Sequence, residues 1–317
     1  MTSGAGLSGF ADLLDGLSFA GGRNAKLALM AHWLRTTPDP DRGWGLAALT
    51  GELDLPAVKP ALIRGLVEQR MDPELFRLSY DYVGDLAETV SLLWEGVASD
   101  PPGLADVVER LRTLGRAEAA AVLSGLLDRL DATARYALLK LATGNLRVGA
   151  GARLARLAFA QAFDVSADEV EELWHGMEPP YAELFAWAAD GGPAPDLAGV
   201  PRFRPFMLAH PLEELEVDLA DYAAEWKWDG IRVQMVHVAG ETRIYSRSGD
   251  DITATFPELA PALTIPAALD GELLVRGSHQ RGDEGGAASF NALQQRLGRK
   301  TVSKAMLADY PAFVRLY

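Results

Sequence analysis

The sequence predicts a multidomain chain of α and α+β class, in which an all-helical region at residues 1–200 precedes the start of an antiparallel-sheet domain at residues 201–317. Apolar residues recur at helical spacing through the first two hundred residues, where no strand-like alternation occurs. Residues 190–196, Asp-Gly-Gly-Pro-Ala-Pro-Asp, have the composition of a linker. Beyond residue 201, alternating segments separated by turn residues are typical of strands. A chain of 317 residues is long enough for two such domains.

The helices of the first region are predicted from their apolar spacing and their start signals. Gly21-Gly22 divides a helical run over residues 7–36. Asp72 and Asp131 each precede a helix as N-caps, because their side-chain oxygens can accept from free backbone N–H groups. Further helical stretches are predicted at residues 44–49, 60–69, 89–94, 104–116 and 117–130.

The second region is predicted to contain a β-hairpin and further strands. Residues 231–238 and 242–246 alternate across the turn Ala239-Gly240-Glu241, which is a hairpin signal. Residues 269–275 form a third strand, and residues 313–317 begin another. A polar, glycine-rich loop at 278–286 leads to a predicted helix at 290–298.

Composition limits the class of protein. The net charge of −14 argues against a protein that coats nucleic acid uniformly, although five basic residues run without an intervening acid: Arg135, Lys140, Arg147, Arg153 and Arg156. The chain has no cysteine, which excludes disulfides and thiolate metal sites. We expect a cytoplasmic protein, because we find neither a signal peptide nor an apolar stretch long enough to cross a bilayer.

The stretch 225–232, Glu-Trp-Lys-Trp-Asp-Gly-Ile-Arg, is the most informative in the chain. Read as a strand, it places Trp226 and Trp228 on a buried face and Lys227 on the other face, between Glu225 and Asp229. Only six residues of this chain are lysine. Unlike arginine, lysine can lose its proton and act as a nucleophile. Taken alone, the stretch is also consistent with a strand that ends in an Asp-Gly turn with a solvated lysine.

Two later motifs change that reading. Arg247-Ser248-Gly249 and Asp270-Gly271-Glu272 follow the Lys-x-Asp-Gly-x-Arg motif of Lys227 to Arg232. The three motifs in this order resemble those of the covalent nucleotidyltransferases, which comprise ATP-dependent DNA ligases, RNA ligases and mRNA capping enzymes. Each motif is weak singly, but the three together are specific.

A turn in the helical region extends the resemblance. Gly144 to Gly149 reads Gly-x-x-Arg-x-Gly before a helix, which resembles the helical DNA-binding domain of ATP-dependent DNA ligases. Gly84-Asp85-Leu86 resembles a second run of that domain, with Ala87 where the family more often has glycine. Turn amides at a helix start can bind phosphate. The predicted DNA-binding residues are Asn145, Arg147, Gly149, Arg153 and Arg156, although a plain turn between helices with a solvated arginine is the alternative.

Residues 7–317 as a whole resemble the bacterial ATP-dependent DNA ligases of the ligase B type. The resemblance implies a monomeric enzyme that seals nicks in duplex DNA through a lysine-AMP intermediate, during DNA repair, replication or recombination. ATP and Mg²⁺ or Mn²⁺ are the implied cofactors, and no membrane partner is expected. An RNA ligase or a capping enzyme would share the nucleotide motifs but not the helical domain. A non-catalytic nick-binding fragment is the alternative of another class.

The resemblance also implies a role for each motif residue. Lys227 is the nucleophile, and Asp229 orients it. The predicted nucleotide-binding residues are Glu225 for the adenine, Arg232 and Arg247 for ribose and phosphate, Glu272 for the ribose hydroxyls and the metal, and Tyr317 for stacking on the base. The family's later motifs, a strand with a metal-binding glutamate, a Lys-x-Lys pair and an oligonucleotide-binding barrel, do not occur in these 317 residues. The sequence is therefore expected to be the N-terminal fragment of a ligase and to be inactive alone.

Overall fold

The computed structural model describes residues 6–99, 101–144, 146–206, 211, 218–222, 225–276, 290–297, 299 and 302–317. Two compact units emerge. The first comprises Met1–Ala167 and Met177–Pro195, and the second comprises Asp168–Gly176 and Asp196–Tyr317. A short segment before the linker thus belongs with the sheet rather than with the other helices. The separate folding of residues 1–200 stays a prediction.

The first unit is helical, as predicted, and the described residues before 200 contain no strand. In chain order the helices are α1 Gly6–Phe19, α2 Arg23–Thr36, α3 Asp41–Thr50, α4 Pro60–Glu68, α5 Pro73–Val83, α6 Leu86–Leu93, α7 Leu104–Thr113, α8 Arg116–Leu127, α9 Ala132–Thr143, α10 Ala152–Phe163, α11 Ala167–Trp174, which lies almost wholly in the second unit, and α12 Ala182–Asp190. Both predicted N-caps are confirmed. Asp72 accepts hydrogen bonds from the N–H groups of Glu74 and Leu75, and Asp131 accepts from Ala134.

Close packing holds these helices together. Helix α10 packs against α2, and α1 packs against α9. The rings of Phe159 and Phe185 lie 5.1 Å apart, and those of Phe10 and Trp33 lie 5.6 Å apart, at angles typical of edge-to-face pairs. At Gly43 on α3 an added Cβ would lie 2.0 Å from the Pro180 carbonyl oxygen, so only glycine fits there. No helix within the described residues is long and apolar enough to span a membrane.

The second unit is built on a four-stranded antiparallel sheet. Its strands are β1 Ile231–Val238, β2 Glu241–Ser246, β3 Ala267–Val275 and β4 Ala312–Leu316, in the order β2-β1-β3-β4. The predicted hairpin is confirmed. Ala239 and Gly240 both have positive φ, at 51° and 87°, which is the geometry of the tight turns that match strand twist. Two short helices lie between β3 and β4 in the chain, α13 Phe290–Gln294 and α14 Lys304–Asp309.

The two faces of the sheet have different compositions. One face carries the apolar core of the unit, with side chains from three strands: Val233, Met235, Ile244, Leu273 and Val275. Because side chains alternate along a strand, the residues between these core positions lie on the opposite face. Polar members of the predicted nucleotide site occupy that second face near one end of the sheet.

Candidate active site

Strand register brings two of the three motifs together. Arg232 on β1 lies opposite Glu272 on β3, and Glu272 lies opposite Arg315 on β4. Directly opposite residues of an antiparallel pair have Cβ atoms about 5 Å apart on the same face. The register thus predicts a row of three charged side chains across the sheet, with the carboxylate between two guanidinium groups.

Glu272 forms hydrogen bonds with two other parts of the site. It is only 8% exposed, and both carboxylate oxygens have protein donors. Oε1 accepts from the backbone N–H of Gly230 at 3.1 Å, and Oε2 accepts from the Tyr317 hydroxyl at 2.6 Å. Glu272 therefore joins the end of the lysine motif to the end of β4. Gly230 lies so close to β3 that an added Cβ would be 2.4 Å from the Leu273 carbonyl oxygen.

Arg232 lies between two aromatic rings. Its guanidinium carbon is 5.0 Å from the ring centre of Phe206 and 5.1 Å from that of Tyr317, within range of cation–π attraction. One terminal nitrogen is 3.6 Å from Asp270 Oδ2. Its Nε is buried and has no hydrogen-bond partner within the described part of the chain. Buried donors are rarely left unpaired, so this nitrogen is a candidate donor to a bound ligand.

Tyr317 is held in its neutral form. Burial raises the pKa of its hydroxyl, the hydrogen bond and charge of Glu272 raise it further, and Arg232 opposes them, which leaves the pKa at about 12. The charge of Glu225 also contributes to raising this pKa. The hydroxyl therefore remains a donor to Glu272 at neutral pH. Stacking of this ring on adenine stays a prediction.

The lysine motif itself differs from its predicted conformation. Residues 225–228 form no strand, and Trp226 is 81% exposed rather than buried. Strand alternation needs a hydrogen-bonded neighbour, and β1 pairs only from Ile231 onward. Trp228 is half-buried, with the Arg315 guanidinium 5.5 Å from its ring centre. Lys227, like Asp229, is exposed in this loop, which Gly230 fixes to Glu272.

Arg247 lies at the same end of the sheet. Val233 pairs with Ser246, the last residue of β2, so Arg247 follows at the end of the sheet where β1 begins. The turn is closed by Gly249 N–H donating to the Ser246 carbonyl at 2.9 Å. Gly249 has φ +83° and rests against the rings of Phe203 and His175. Arg247 itself is exposed.

Three further residues of this face were not predicted, namely Phe206, Gln234 and Arg315, and Asp270 was named in its motif without a role. The alternation of β1 and β3 could have identified Gln234 and Asp270, which share the face of Arg232 and Glu272. Phe206 lies outside any strand, so no periodicity points to it. Arg315 shares a row with Glu272 only because β4 pairs with β3, which a sequence does not reveal.

The described residues do not form a metal centre. Among them no group of three or more histidine, aspartate or glutamate side chains is arranged to hold a metal ion. Glu272, the predicted metal ligand, already has both oxygens engaged by Gly230 and Tyr317. The requirement for Mg²⁺ or Mn²⁺ stays a prediction.

The two motif runs of the helical unit lie around one cavity. Its volume is about 200 Å³, and its lining includes Gly84 to Ala87 from the start of α6, Thr143 and Arg147 from the turn after α9, and Lys140 and Arg64. Arg147 has a positive φ of 48°, which is strained for a residue with a Cβ. Arg147, Gly149 and Arg153 are exposed, whereas Asn145 lies outside the described residues.

Three of the five basic residues from Arg135 to Arg156 are buried, which contradicts the predicted DNA contact of Arg156. Arg135 is buried and donates to the carbonyls of Leu127 and Trp94, at 2.7 and 2.5 Å. Lys140 is buried and bonds Asp85 Oδ2 at 2.6 Å. Arg156, predicted to contact DNA, is only 4% exposed. Its charge acts on buried Tyr181, whose pKa it lowers against the stronger effects of burial and Glu52.

Comparisons with known proteins find similarity to DNA ligases. The family model of the ATP dependent DNA ligase domain matches residues 206–317. A probable DNA ligase of Koribacter versatilis is 30% identical over 91% of this chain and 52% of its own length. A probable DNA ligase of Anaeromyxobacter sp. is 33% identical over 90% of this chain and 53% of its own. Among solved structures, Pmar-Lig_PreS3 aligns with 97% of this chain and 56% of its own, at 15% identity and a TM-score of 0.41, a likeness too weak to define the fold.

Residues 206–317 thus match the ATP-dependent DNA ligase domain family. The chain as a whole is similar to the DNA ligases and spans about half the length of the curated relatives it matches.

Proposed function

We propose that this protein seals nicks in duplex DNA as an ATP-dependent ligase, through AMP carried on Lys227. The observation that supports this most is the pair of hydrogen bonds that Glu272 accepts. One comes from Gly230 of the lysine motif, and the other comes from Tyr317, whose ring contacts Arg232. A nucleotide bound on this face would meet an aromatic ring, a carboxylate and two arginines within reach of the lysine loop. The relatives found by comparison carry the name DNA ligase, which favours DNA over RNA.

The proposed chemistry is three phosphoryl transfers. The Lys227 amine attacks the α-phosphorus of ATP, a nitrogen–phosphorus bond forms, and the bond to pyrophosphate breaks. An oxygen of the 5′ phosphate at the nick then attacks that phosphorus and releases the lysine. The 3′ hydroxyl finally attacks the 5′ phosphorus and releases AMP. Such transfers depend on positioning and on charge neutralisation. We assign charge neutralisation to Arg232 and Arg247, and orientation of the nucleoside to Glu225, Glu272 and Tyr317.

The helical unit is proposed to hold the nicked duplex. Two observations support this assignment. Arg147 and Arg153 are exposed, and residues of both motif runs, Gly84 to Ala87 and Arg147, line one cavity. Basic side chains that replace counterions on phosphates give salt-dependent affinity without reading sequence. Work in repair, replication or recombination is compatible with nick sealing.

The test is covalent labelling of the full-length gene product with ATP and Mg²⁺, measured by intact mass and peptide mapping. An AMP adduct on Lys227 is expected in the wild-type protein. Lys227→Arg should abolish it without unfolding the protein, because arginine keeps the charge but not a free amine. Lys304→Arg, at an exposed lysine of α14, is the matched control and should label normally. Labelling of Lys227→Arg, or labelling by GTP alone, would refute the proposal.

A further inference from the structure

Gln234 has no assigned role, yet its side chain makes three hydrogen bonds on the sheet face that carries Arg232 and Glu272. It is 3% exposed and lies on β1 between the core residues Val233 and Met235, with its side chain on the opposite face. Its Oε1 accepts from Arg204 N–H at 2.7 Å, and its Nε2 donates to the Arg204 carbonyl at 3.2 Å and to Asp270 Oδ1 at 2.8 Å. Buried amide groups bonded this fully are costly to disrupt.

The first pair of bonds fixes a segment that has no strand of its own. Gln234 bonds both backbone groups of Arg204, as a neighbouring strand would. Phe203 packs on Tyr245, with ring centres 5.9 Å apart, and on Phe206, at 5.4 Å. Phe206 in turn covers the Arg232 guanidinium at 5.0 Å. The side chain of Gln234 thereby determines where one of the two rings around Arg232 lies.

The third hydrogen bond connects Gln234 to Arg232 through Asp270. Asp270 accepts from Gln234 at Oδ1, and its Oδ2 is 3.6 Å from the Arg232 guanidinium. A carboxylate held at one oxygen presents the other in a fixed direction. Two neighbours of Arg232 therefore depend on Gln234: Asp270 is bonded to it directly, and Phe206 lies two residues after Arg204, which Gln234 bonds.

We infer that Gln234 is a positioning residue, which fixes the orientation of the Arg232 guanidinium for nucleotide binding. This inference rests on the proposed function, in that Arg232 must contact the nucleotide. The buried Nε of Arg232, unpaired within the described residues, is consistent with a donor held ready for an acceptor that arrives with the ligand. Gln234 itself touches no ligand in this scheme and acts through Arg232.

A double-mutant cycle tests the inference. ATP affinity is measured by calorimetry for the wild-type protein, Gln234→Leu, Arg232→Ala and the double variant. We expect Gln234→Leu to weaken binding about tenfold, in line with the coupling energies of residues in one network. We expect no further loss when it is added to Arg232→Ala. A merely structural role predicts that the two losses multiply, so multiplication overturns the inference.

A second variant gives a readout that general damage to the fold would not produce. Gln234→Glu keeps an oxygen that can accept from Arg204 N–H but loses the amide donor to Asp270, so it interrupts only one of the two contacts that lead to Arg232. We expect this variant to weaken ATP binding less than Gln234→Leu does, and to add no further loss to Arg232→Ala. Losses that multiply in the double variant contradict the inference.

Thr242→Val is the matched control. Thr242 bonds His237 and the Leu263 carbonyl, at 2.7 and 3.1 Å, at the far end of the same hairpin. Its loss should cost stability but leave ATP affinity unchanged. If the wild-type protein binds ATP and Gln234→Leu binds it equally well, the inference alone fails. If the wild-type protein binds no ATP, the proposed function fails and the inference fails with it.

Discussion

Glu272 shows how one buried side chain can join separate motifs. Its two oxygens accept from a backbone amide and from a phenol, so the carboxylate needs no bound ion to be satisfied. A ribose hydroxyl that bonds Glu272 in the proposed function would share the carboxylate with Gly230 and Tyr317, because each carboxylate oxygen can accept more than one hydrogen bond.

Removing the Tyr317 hydroxyl tests its bond to Glu272 directly. Tyr317 has a folded-state pKa of about 12 against an ordinary value of 10.0, so the unfolded chain ionises first as the pH rises. Its stabilising contribution is thus complete below about pH 10 and is lost between pH 10 and 12. We expect Tyr317→Phe to be less stable than the wild-type protein at pH 9, with a smaller difference at pH 11, in urea unfolding. A difference that grows over this range would contradict the assignment.

Arg147 combines strain with a predicted function. Both Arg147→Gly and Arg147→Ala remove the guanidinium, but only glycine relieves the positive φ. We expect the glycine variant to be more stable than the alanine variant by about 1 kcal/mol in urea unfolding. Both should weaken binding of nicked duplex and reduce the slope of log affinity against log salt by about 0.9, the value for one phosphate contact.

The control for that prediction is Arg129→Ala, which removes an exposed arginine elsewhere in the helical unit. Its salt slope should match that of the wild-type protein. An equal slope for Arg147→Ala would place the DNA surface elsewhere, and equal stability of the glycine and alanine variants would show that the turn relaxes.

At the scale of elements, one buried arginine after α13 bonds several segments of the second unit. Arg296, just after α13, is fully buried and forms a two-pronged ion pair with Glu258, while it also donates to the carbonyls of Thr255 and Tyr310. Burial tends to raise the pKa of Glu258, but the hydrogen bonds and charge of Arg296 lower it below its ordinary value. Arg296, which precedes α14, thereby bonds both the segment before β3, at Thr255 and Glu258, and the residue after α14, Tyr310.

We expect Arg296→Met to destabilise the second unit by about 3 kcal/mol, because it leaves a partly buried carboxylate without its partner. The lowered pKa of Glu258 means that the pair stabilises above the unfolded value near 4.5 and that this contribution is lost as the pH falls below it. The gap between wild-type and variant should therefore narrow at acid pH in chemical unfolding. Adding Glu258→Gln should recover part of the loss, and failure of both results would refute the role of the pair.

Local signals predicted the elements better than the contacts between them. Strand β1 was predicted with its observed bounds, and the Ala239-Gly240 turn was recognised, because both depend on neighbouring residues only. The stretch 225–228 was wrongly read as a strand, since alternation cannot show whether a partner strand exists. The burial of Arg135 could not be foreseen either, because it depends on carbonyls that α8 and the segment after α6 supply.

At the scale of the molecule, the second unit includes a segment that precedes the linker. His175, just after α11, has its ring 4.7 Å from that of Tyr245, and its carbonyl accepts from Arg243 at 3.0 Å. An added Cβ at Gly176 would lie 2.3 Å from Leu197, so this segment is closely packed. The turn that carries Arg247 rests on the same histidine.

A fragment of residues 168–317 should therefore unfold at a higher temperature than a fragment of residues 201–317. The shorter fragment exposes the Tyr245 and Phe203 rings that His175 covers, and uncovered apolar surface costs stability. Circular dichroism melts of both fragments make the comparison. Equal melting temperatures would show that the segment adds nothing to the unit.

The placement of residues 168–176 also has a consequence for the order of synthesis. A growing chain makes this segment before residues 177–195 complete the first unit and before any strand of its own unit exists. At roughly 5–20 residues per second, Tyr245 follows His175 out of the ribosome by roughly 4 to 14 s. During that interval the apolar side of α11, with Val170, Leu173 and Trp174, lacks the strands of its own unit.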